Sequence, residues 1–496
     1  MTSLTSRLVW PQLLSHGSEA AKLHLRDLFD KDPGRAGRFA LRAGALYLDY
    51  SRERVTAETL PLLTRLAEEA GLAPARKKLF DGEVVNASEN HPALHPAMRA
   101  REPSPEIYPM RERALDFAER LRTGQIKNAL GIPLRHVIHV GIGGSELGPR
   151  LLTEALADGR GPQAHFIAST DPAPLRKLMA WLKPEATLVL LASKSFSTAE
   201  VLHNGRVLQG WLGEKWKKHI LAATAAPEAA ATFGVPGHNI FPMHKGVGGR
   251  FSLWASVSLS AMAAMGRKAF EEFLQGGAEM DAHFQNAPWM ENMPVLLALL
   301  GVWNTNILNC KSRAVLPYGE SLRLWPAYLQ QLEMESLGKS VGLDKKPVDY
   351  ATAPVIFGAT GTPAQHAFMQ ALHQGTEIIP SEILIVSQDK MLQAHALAQA
   401  EALAFGKEDE DAQKNVPGNM PCSVLALDGL TPRALGNLVV LYEHKVFVQG
   451  VLWNLNPFDQ WGVELGKKLA GPMEAALSGG VAPAHLSALL KVLRKD

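Results

Sequence analysis

The sequence predicts an α/β chain built on two doubly wound parallel sheets, preceded by a helical N-terminal segment and followed by a C-terminal helical arm. Three observations carry this. Apolar runs of strand length recur, each followed by a polar or glycine-rich loop and then a helical stretch. Two such blocks occur, separated by long apolar helices near 252–265 and 294–309. Outside the two blocks the apolar residues fall at helical spacing instead. The expected divisions are 1–115 for the N-terminal segment, 116–290 and 291–450 for the two α/β domains, and 451–496 for the arm.

Composition bounds the function. A chain of 496 residues with 46% hydrophobic and 20% charged residues has ample material for two or three globular domains. Lys and Arg number 51 against 49 Asp and Glu, which gives no basic face for nucleic acid or an anionic membrane. Cys310 and Cys422 are the two cysteines, far apart and outside any CxxC pattern, so neither a disulfide scaffold nor a thiolate zinc site is expected. The longest apolar run, Val295 to Trp303, is too short to cross a bilayer. Met1–Trp10 lacks the apolar core of a signal peptide, so a cytoplasmic address is the expectation.

Taken in order, Ala20–Phe29 and Leu60–Ala67 have amphipathic helical spacing, with Pro61 suited to a first turn. The turn-rich stretch Phe80–His95 holds His91 and His95 four apart. Pro92 and Pro96 bracket them and no third ligand is near, so no metal is expected there. Three strands follow at His136–Val140, His165–Ala168 and Thr187–Ala192. Ligands of such sheets bind at the carboxyl ends of the strands, and two polar loops lie there. The first, Gly141–Gly148, includes Gly143, Gly144 and Ser145. A dinucleotide fingerprint would need glycine at 146, where Glu146 stands. The second, Ser193–Thr198, gathers the hydroxyls of Ser193, Ser195, Ser197 and Thr198 with the Lys194 ammonium at a helix start. That combination suits a phosphate, and it serves equally as a polar loop with an N-cap residue. Ala222–Thr232 reads as helix and loop. In Lys245–Ser252, glycines surround Arg250, which can meet an anion or form an ordinary surface turn.

The second block has strand-like runs at Ala314–Tyr318, Pro354–Phe357, Ile383–Val386 and Val424–Leu427. After the first run a helix from near Ser321 closes at Gly338, and its last turns place Gln331 and Glu335 on one face. A carboxylate there is a candidate general base or simply an exposed side chain. His366, expected at a helix start with His373 seven residues on, is a candidate acid/base or a capping residue. In the arm, Gln460 and Lys467 are also seven apart and share a helix face.

Several of these stretches, in this order, resemble the glucose-6-phosphate isomerase family of the sugar-isomerase-domain superfamily. They are Asn86–Asn90, Gly141–Gly148, Ser193–Glu200, Gly246–Trp254, Met334–Lys339, Gln365–Thr376 and Gly462–Lys467. The resemblance implies two sugar-isomerase domains and metal-free, cofactor-free aldose–ketose isomerisation through a cis-enediol. Glu335 would carry the proton between C1 and C2, with Arg250 stabilising the enediolate. His366, assisted by Lys467, would open the sugar ring. Ser193, Lys194, Ser195 and Thr198 would hold the phosphate, with Gly143, Gly144 and Ser145 nearby in the substrate site, and Gln331 and Gln460 would contact the sugar. The family also implies a homodimer with shared active sites. The chain departs from the family pattern at Leu337, where asparagine is usual, at Pro363-Ala364 in place of Asn-Gly, and at Val201 in place of threonine. Mannose 6-phosphate as a substrate, and a sugar-phosphate binder without turnover, stay open as alternatives.

Overall fold

The computed structural model describes residues 3–494 except 129 and 482, so Met1 and Thr2 of the N-terminal stretch lie outside the described residues. The chain divides into two compact units, Met1–Pro457 and Phe458–Asp496.

The first unit opens with helices Trp10–Ala20 and Leu25–Lys31 and then an antiparallel hairpin, β1 (Ala40–Ala43) and β2 (Leu46–Arg52). The N-terminal segment is therefore not all helical. Leu46, Leu48 and Tyr50 alternate inward along β2 with period two, a signal carried by only one short run. The strand's inner partner, Cys422–Leu427, lies far along the chain, so no local turn announces that pairing. After helices Thr59–Glu69 and Leu72–Phe80, a small ribbon joins β3 (Val84–Asn86) to β4 (His91–Pro92).

The first sheet contains β5 (His136–Val140), β6 (Gln163–Ile167), β7 (Thr187–Ala192), β8 (Ile220–Thr224) and β9 (Ile240–Pro242). Its order is β6-β5-β7-β8-β9 and every pairing is parallel. All of β7 and β8 is buried, as expected of strands covered on both faces. Strand β8 takes the first residues of the alanine-rich stretch read as helix and loop, and a helix follows only at Pro227–Phe233. Alanine has little strand preference, but burial beside β7 overrides propensity. Ile138, Val189, Leu191, Val201 and Leu208 form part of the core on which the helix Ala199–Leu212 packs. The chain leaves β5 for β6 on one side and returns to β7 on the other. The crevice between the carboxyl ends of β5 and β7 is thus a topological switch point.

The second sheet contains β10 (Ser312–Tyr318), β11 (Val355–Gly358), β12 (Ser381–Ile385) and β13 (Cys422–Leu427) in the order β1-β2-β13-β12-β10-β11. Strands β10 to β13 run parallel, and β2 pairs antiparallel with β13. Leu316, Ile383 and Cys422 join Leu403 of helix Lys390–Phe405 in its core. The helix Pro432–Leu452 is buried from Ala434 to Leu452. Both cysteines are buried free thiols. Among the described residues, no helix is long and apolar enough to cross a membrane.

The second unit contains helices Glu464–Leu477 and Ser487–Arg494.

Candidate active site

The loop after β5 is set by backbone contact. Gly143 has φ +57°, and a Cβ there would also sit 2.8 Å from Gln331 Nε2. At Gly144 a Cβ would lie 2.0 Å from the Gly249 carbonyl carbon and 2.4 Å from the Arg250 amide nitrogen. Backbone meets backbone there, and no side chain fits between. His139, from β5, holds the loop from beneath: Nε2 lies 2.7 Å from the Ser145 carbonyl oxygen and Nδ1 2.7 Å from Ser260 Oγ. A carbonyl can only accept, so Nε2 carries the proton and Nδ1 accepts from the serine. Burial pushes the His139 pKa down to about 4, which keeps the ring neutral.

Arg250 arrives on the neighbouring loop, 4% exposed. Its Nε donates to Ser336 Oγ at 2.6 Å and its Nη2 to the Pro457 carbonyl at 2.6 Å. Nη1 lies 3.5 Å from Glu335 Oε2. The helix that supplies Glu335 is more broken than its sequence suggests. A 3-10 turn at Glu320–Leu322 precedes the α-helix Trp325–Leu329, which widens into a π turn at Gln330–Glu335. Such turns recur at functional sites because they displace a side chain from α-helical register. Gln331 Nε2 donates to Glu335 Oε2 at 3.1 Å, so the expected shared face is present. The Glu335 side chain is 25% exposed. A partly open carboxylate, fixed by an amide on one side and a buried guanidinium on the other, can exchange a proton with a bound carbon acid. The guanidinium can then meet the charge that develops.

The Ser193–Thr198 loop joins β7 to the helix Ala199–Leu212. Ser193 Oγ and Thr198 Oγ1 are 2.9 Å apart, and Ser195 Oγ and Ser197 Oγ 2.7 Å apart. The Phe196 amide donates to Ser193 Oγ at 3.1 Å, fixing a turn in which Phe196 has φ +50°. Thr198 is the N-cap residue, yet its side chain makes no capping bond, so the hydroxyl and the first-turn amides remain together at the helix's positive end. Burial lowers the Lys194 pKa. Glu89 opposes that shift and the nearby Arg250 adds to it. A cation thus sits near a second cation, an arrangement that favours an anion between them.

The structure thus brings Gly143, Gly144 and Arg250 together with Gln331 and Glu335, and sets Lys194 within the field of Arg250. His366 lies on another element. It follows the short helix Gly361–Gln365 instead of starting one, and its side chain is exposed. Pro363 and Ala364 are accommodated inside that helix, which explains why the expected helix start lies five residues earlier. His373 bonds Gln399 at 2.9 Å. Gln460 and Lys467 belong to the second unit, where Lys467 pairs with Glu464 at 2.8 Å. Of the departing residues, Val201, Leu337 and Ala364 are core residues, 1%, 1% and 0% exposed, and Pro363 is exposed. His91 is exposed and His95 buried, and no cluster of three or more His, Cys, Asp or Glu side chains suited to a metal occurs among the described residues. Sequence reasoning did not single out Ser336, His139 or Gln330, whose amide donates to the Ile356 carbonyl at 3.0 Å. Ser336 adjoins Glu335 and offered a signal. His139 read only as a strand residue.

A sequence model of the family described as phosphoglucose isomerase matches residues 49–488. A glucose-6-phosphate isomerase of Paraburkholderia phytofirmans is 43% identical, covering 95% of this chain and 94% of its own. One of Burkholderia pseudomallei is 42% identical over 99% of both chains. The crystal structure of a glucose-6-phosphate isomerase from Chlamydia trachomatis superposes with a TM-score of 0.90 at 31% identity, covering 99% of this chain and 100% of that one. With the family pattern running through both sheets and the sequence match spanning nearly the whole chain, this chain belongs to the phosphoglucose isomerase family.

Proposed function

We propose that this chain isomerises glucose 6-phosphate and fructose 6-phosphate reversibly, as an aldose–ketose isomerase, with Glu335 as the base. The observation that carries this reading is the Glu335 carboxylate beside the buried Arg250 guanidinium, 3.5 Å apart, at the end of a π turn. In the open-chain sugar Glu335 takes the proton from C2, the C1 oxygen gains charge, and a cis-enediol forms. Arg250 stabilises that charge without moving, because Ser336 and Pro457 already hold it. The hydroxyl proton passes from O2 to the charged O1, Glu335 returns its proton to C1, and the C2 carbonyl of the ketose forms; the reverse path uses the same groups. Ser193, Lys194, Ser195 and Thr198 hold the phosphate, with Gly143, Gly144 and Ser145 beside it in the substrate site. Gln331 and Gln460 contact the sugar hydroxyls. His366, assisted by Lys467, opens the sugar ring, as the family pattern implies. The exposure of the His366 ring is compatible with presentation to a second copy of the chain. The working form is then a cytoplasmic homodimer in which His366 of one protomer serves the Glu335 site of the other.

A coupled assay of fructose 6-phosphate conversion tests the activity directly, and absence of turnover by folded protein overturns it. The shared site has its own test. Inactive Glu335→Gln and His366→Ala chains are mixed, unfolded and refolded together. Half the dimers are then mixed, each with one intact site, and activity returns to about a quarter of the unaltered level. Mixed dimers that form and stay inactive place both residues in one chain.

A further inference from the structure

Glu333 shares the π turn with Glu335 but points the other way. Its side chain is 2% exposed and meets two cations: Arg313 Nη2, from β10, at 2.5 Å and Lys445 Nζ, from the helix Pro432–Leu452, at 2.6 Å. Arg313 also lies 3.6 Å from Glu382 of β12, and the Tyr442 hydroxyl donates to that carboxylate. Two cations and two carboxylates thus balance in the core beneath the turn. Burial opposes ionisation of Glu333, but Arg313 and Lys445 outweigh it and hold its pKa below the usual carboxylate range. A π turn is a rare, single-turn departure from α-helical register, and side chains on the far side of this one grip the neighbouring elements. Here Gln330 grips β11 through the Ile356 carbonyl, and Glu333 grips β10 and the buried helix. Gln331 and Glu335, on the open side, inherit their placement from those anchors.

We propose that Glu333 is a positioning residue for the isomerisation: clamped between Arg313 and Lys445, it fixes the π turn in the register that sets the Glu335 carboxylate against Arg250. The inference rests on Glu335 being the base. It goes further in assigning control of base placement to a residue that touches no substrate. A buried charge pair that merely supports folding would change how many molecules are active. A positioning charge changes what each active molecule does with the proton.

The experiment reads that difference. Glucose 6-phosphate labelled with deuterium at C2 is converted, and the label found at C1 of fructose 6-phosphate is compared with label lost to water. This partition is set at each turnover by how the base holds the proton, and it does not depend on the folded fraction. In Glu333→Gln, kcat falls on the order of tenfold to a hundredfold, KM stays within about twofold, and the partition shifts toward water. Glu333→Gln/Lys445→Gln removes one charge of each sign and leaves Arg313 facing Glu382. It recovers thermal stability lost in the single variant but keeps the low kcat and the shifted partition, and it supplies the reading if the single variant does not fold. Either folded variant with the parent's kcat and partition overturns the proposal, as does a double variant whose partition returns to the parent's. Glu335→Gln is assayed alongside. If it still turns over, the base assignment has failed. If it is inactive while the Glu333 variants behave as the parent, only the positioning role has failed.

Discussion

The two sheets deliver chemistry to the site by different means. In the first, the polar groups sit on loops that leave the strand ends directly, either side of a switch point between β5 and β7. Their placement comes from close backbone approach at Gly144 and from a neutral histidine under Ser145. In the second, the carboxylate comes a helix later than β10, on a π turn whose far side is held by buried ion pairs. Loops set by backbone contact suit a phosphate, whose many oxygens accept from many donors. A single proton-transferring oxygen tolerates less displacement, and anchored charge restricts it further. Damage to the first region should therefore appear in binding, and damage to the second in chemistry.

The largest effect is expected in the second region. Glu335→Gln keeps the shape and the Gln331 contact but cannot accept the C2 proton. Its kcat should fall on the order of a thousandfold while inorganic phosphate still inhibits with near-parent strength. Near-normal turnover would remove the base and with it the contrast between the regions. Next comes Gly144→Ala. The added carbon would overlap the Gly249 backbone, so the loop and Arg250 must part. Because this contact seats Arg250, which reaches Glu335 of the second region, kcat and KM should both worsen, together on the order of a hundredfold in kcat/KM. A variant with only KM altered would show that the Gly144 contact serves the phosphate alone.

That contrast also explains what the sequence could show. The Gly-rich and Ser/Lys-rich loops were legible because their composition is their function, and they follow apolar runs of strand length. The parallel strands β5, β7, β10 and β13 were legible for the same reason. The β1–β2 hairpin was not, since its strands are short and the pairing that ties β2 into the sheet is with β13, near the other end of the chain, where no local turn links them. Strand β8 was hidden by its alanines. Gln331 and Glu335 could be placed on one face by spacing, but the π turn could not, because it depends on Glu333 reaching Arg313 and Lys445 from distant elements. His366 was misplaced by a turn because Pro363 and Ala364 extend a helix where a loop was read.

A smaller effect is expected from Lys194→Ala. The ammonium lies in a partly buried loop beside the field of Arg250, and it gains most when a phosphate supplies the missing negative charge. Losing one charge-assisted hydrogen bond should raise KM roughly tenfold, with kcat changed much less. Steady-state kinetics with fructose 6-phosphate, and inhibition by inorganic phosphate, both report this. Unchanged KM and unchanged phosphate inhibition would put the cradle elsewhere and leave the first region without its assigned task.

The smallest effect concerns the support under that loop and shows as a pH dependence of stability. His139 has a folded pKa of about 4 against an ordinary 6.5, through burial. Between those values the unfolded chain binds a proton that the folded chain does not, so stability rises with pH across the window. The contribution is complete above about pH 6.5 and is lost as the pH falls toward about 4. Relative to pH 8, the loss should be about 2 kcal/mol at pH 5. A side-chain amide donates a hydrogen bond but does not titrate, so His139→Gln keeps a donor for the Ser145 carbonyl and removes the proton uptake. Urea unfolding of parent and variant at pH 8 and pH 5 gives the comparison. At pH 8 the two should differ little, and at pH 5 the variant should have lost less stability than the parent, by about that amount. KM for the sugar phosphate should stay close to the parent's at pH 8, because the carbonyl still has its donor. An equal acid loss in both proteins would show that the ring is not held neutral, and that the loop of the first region does not depend on it.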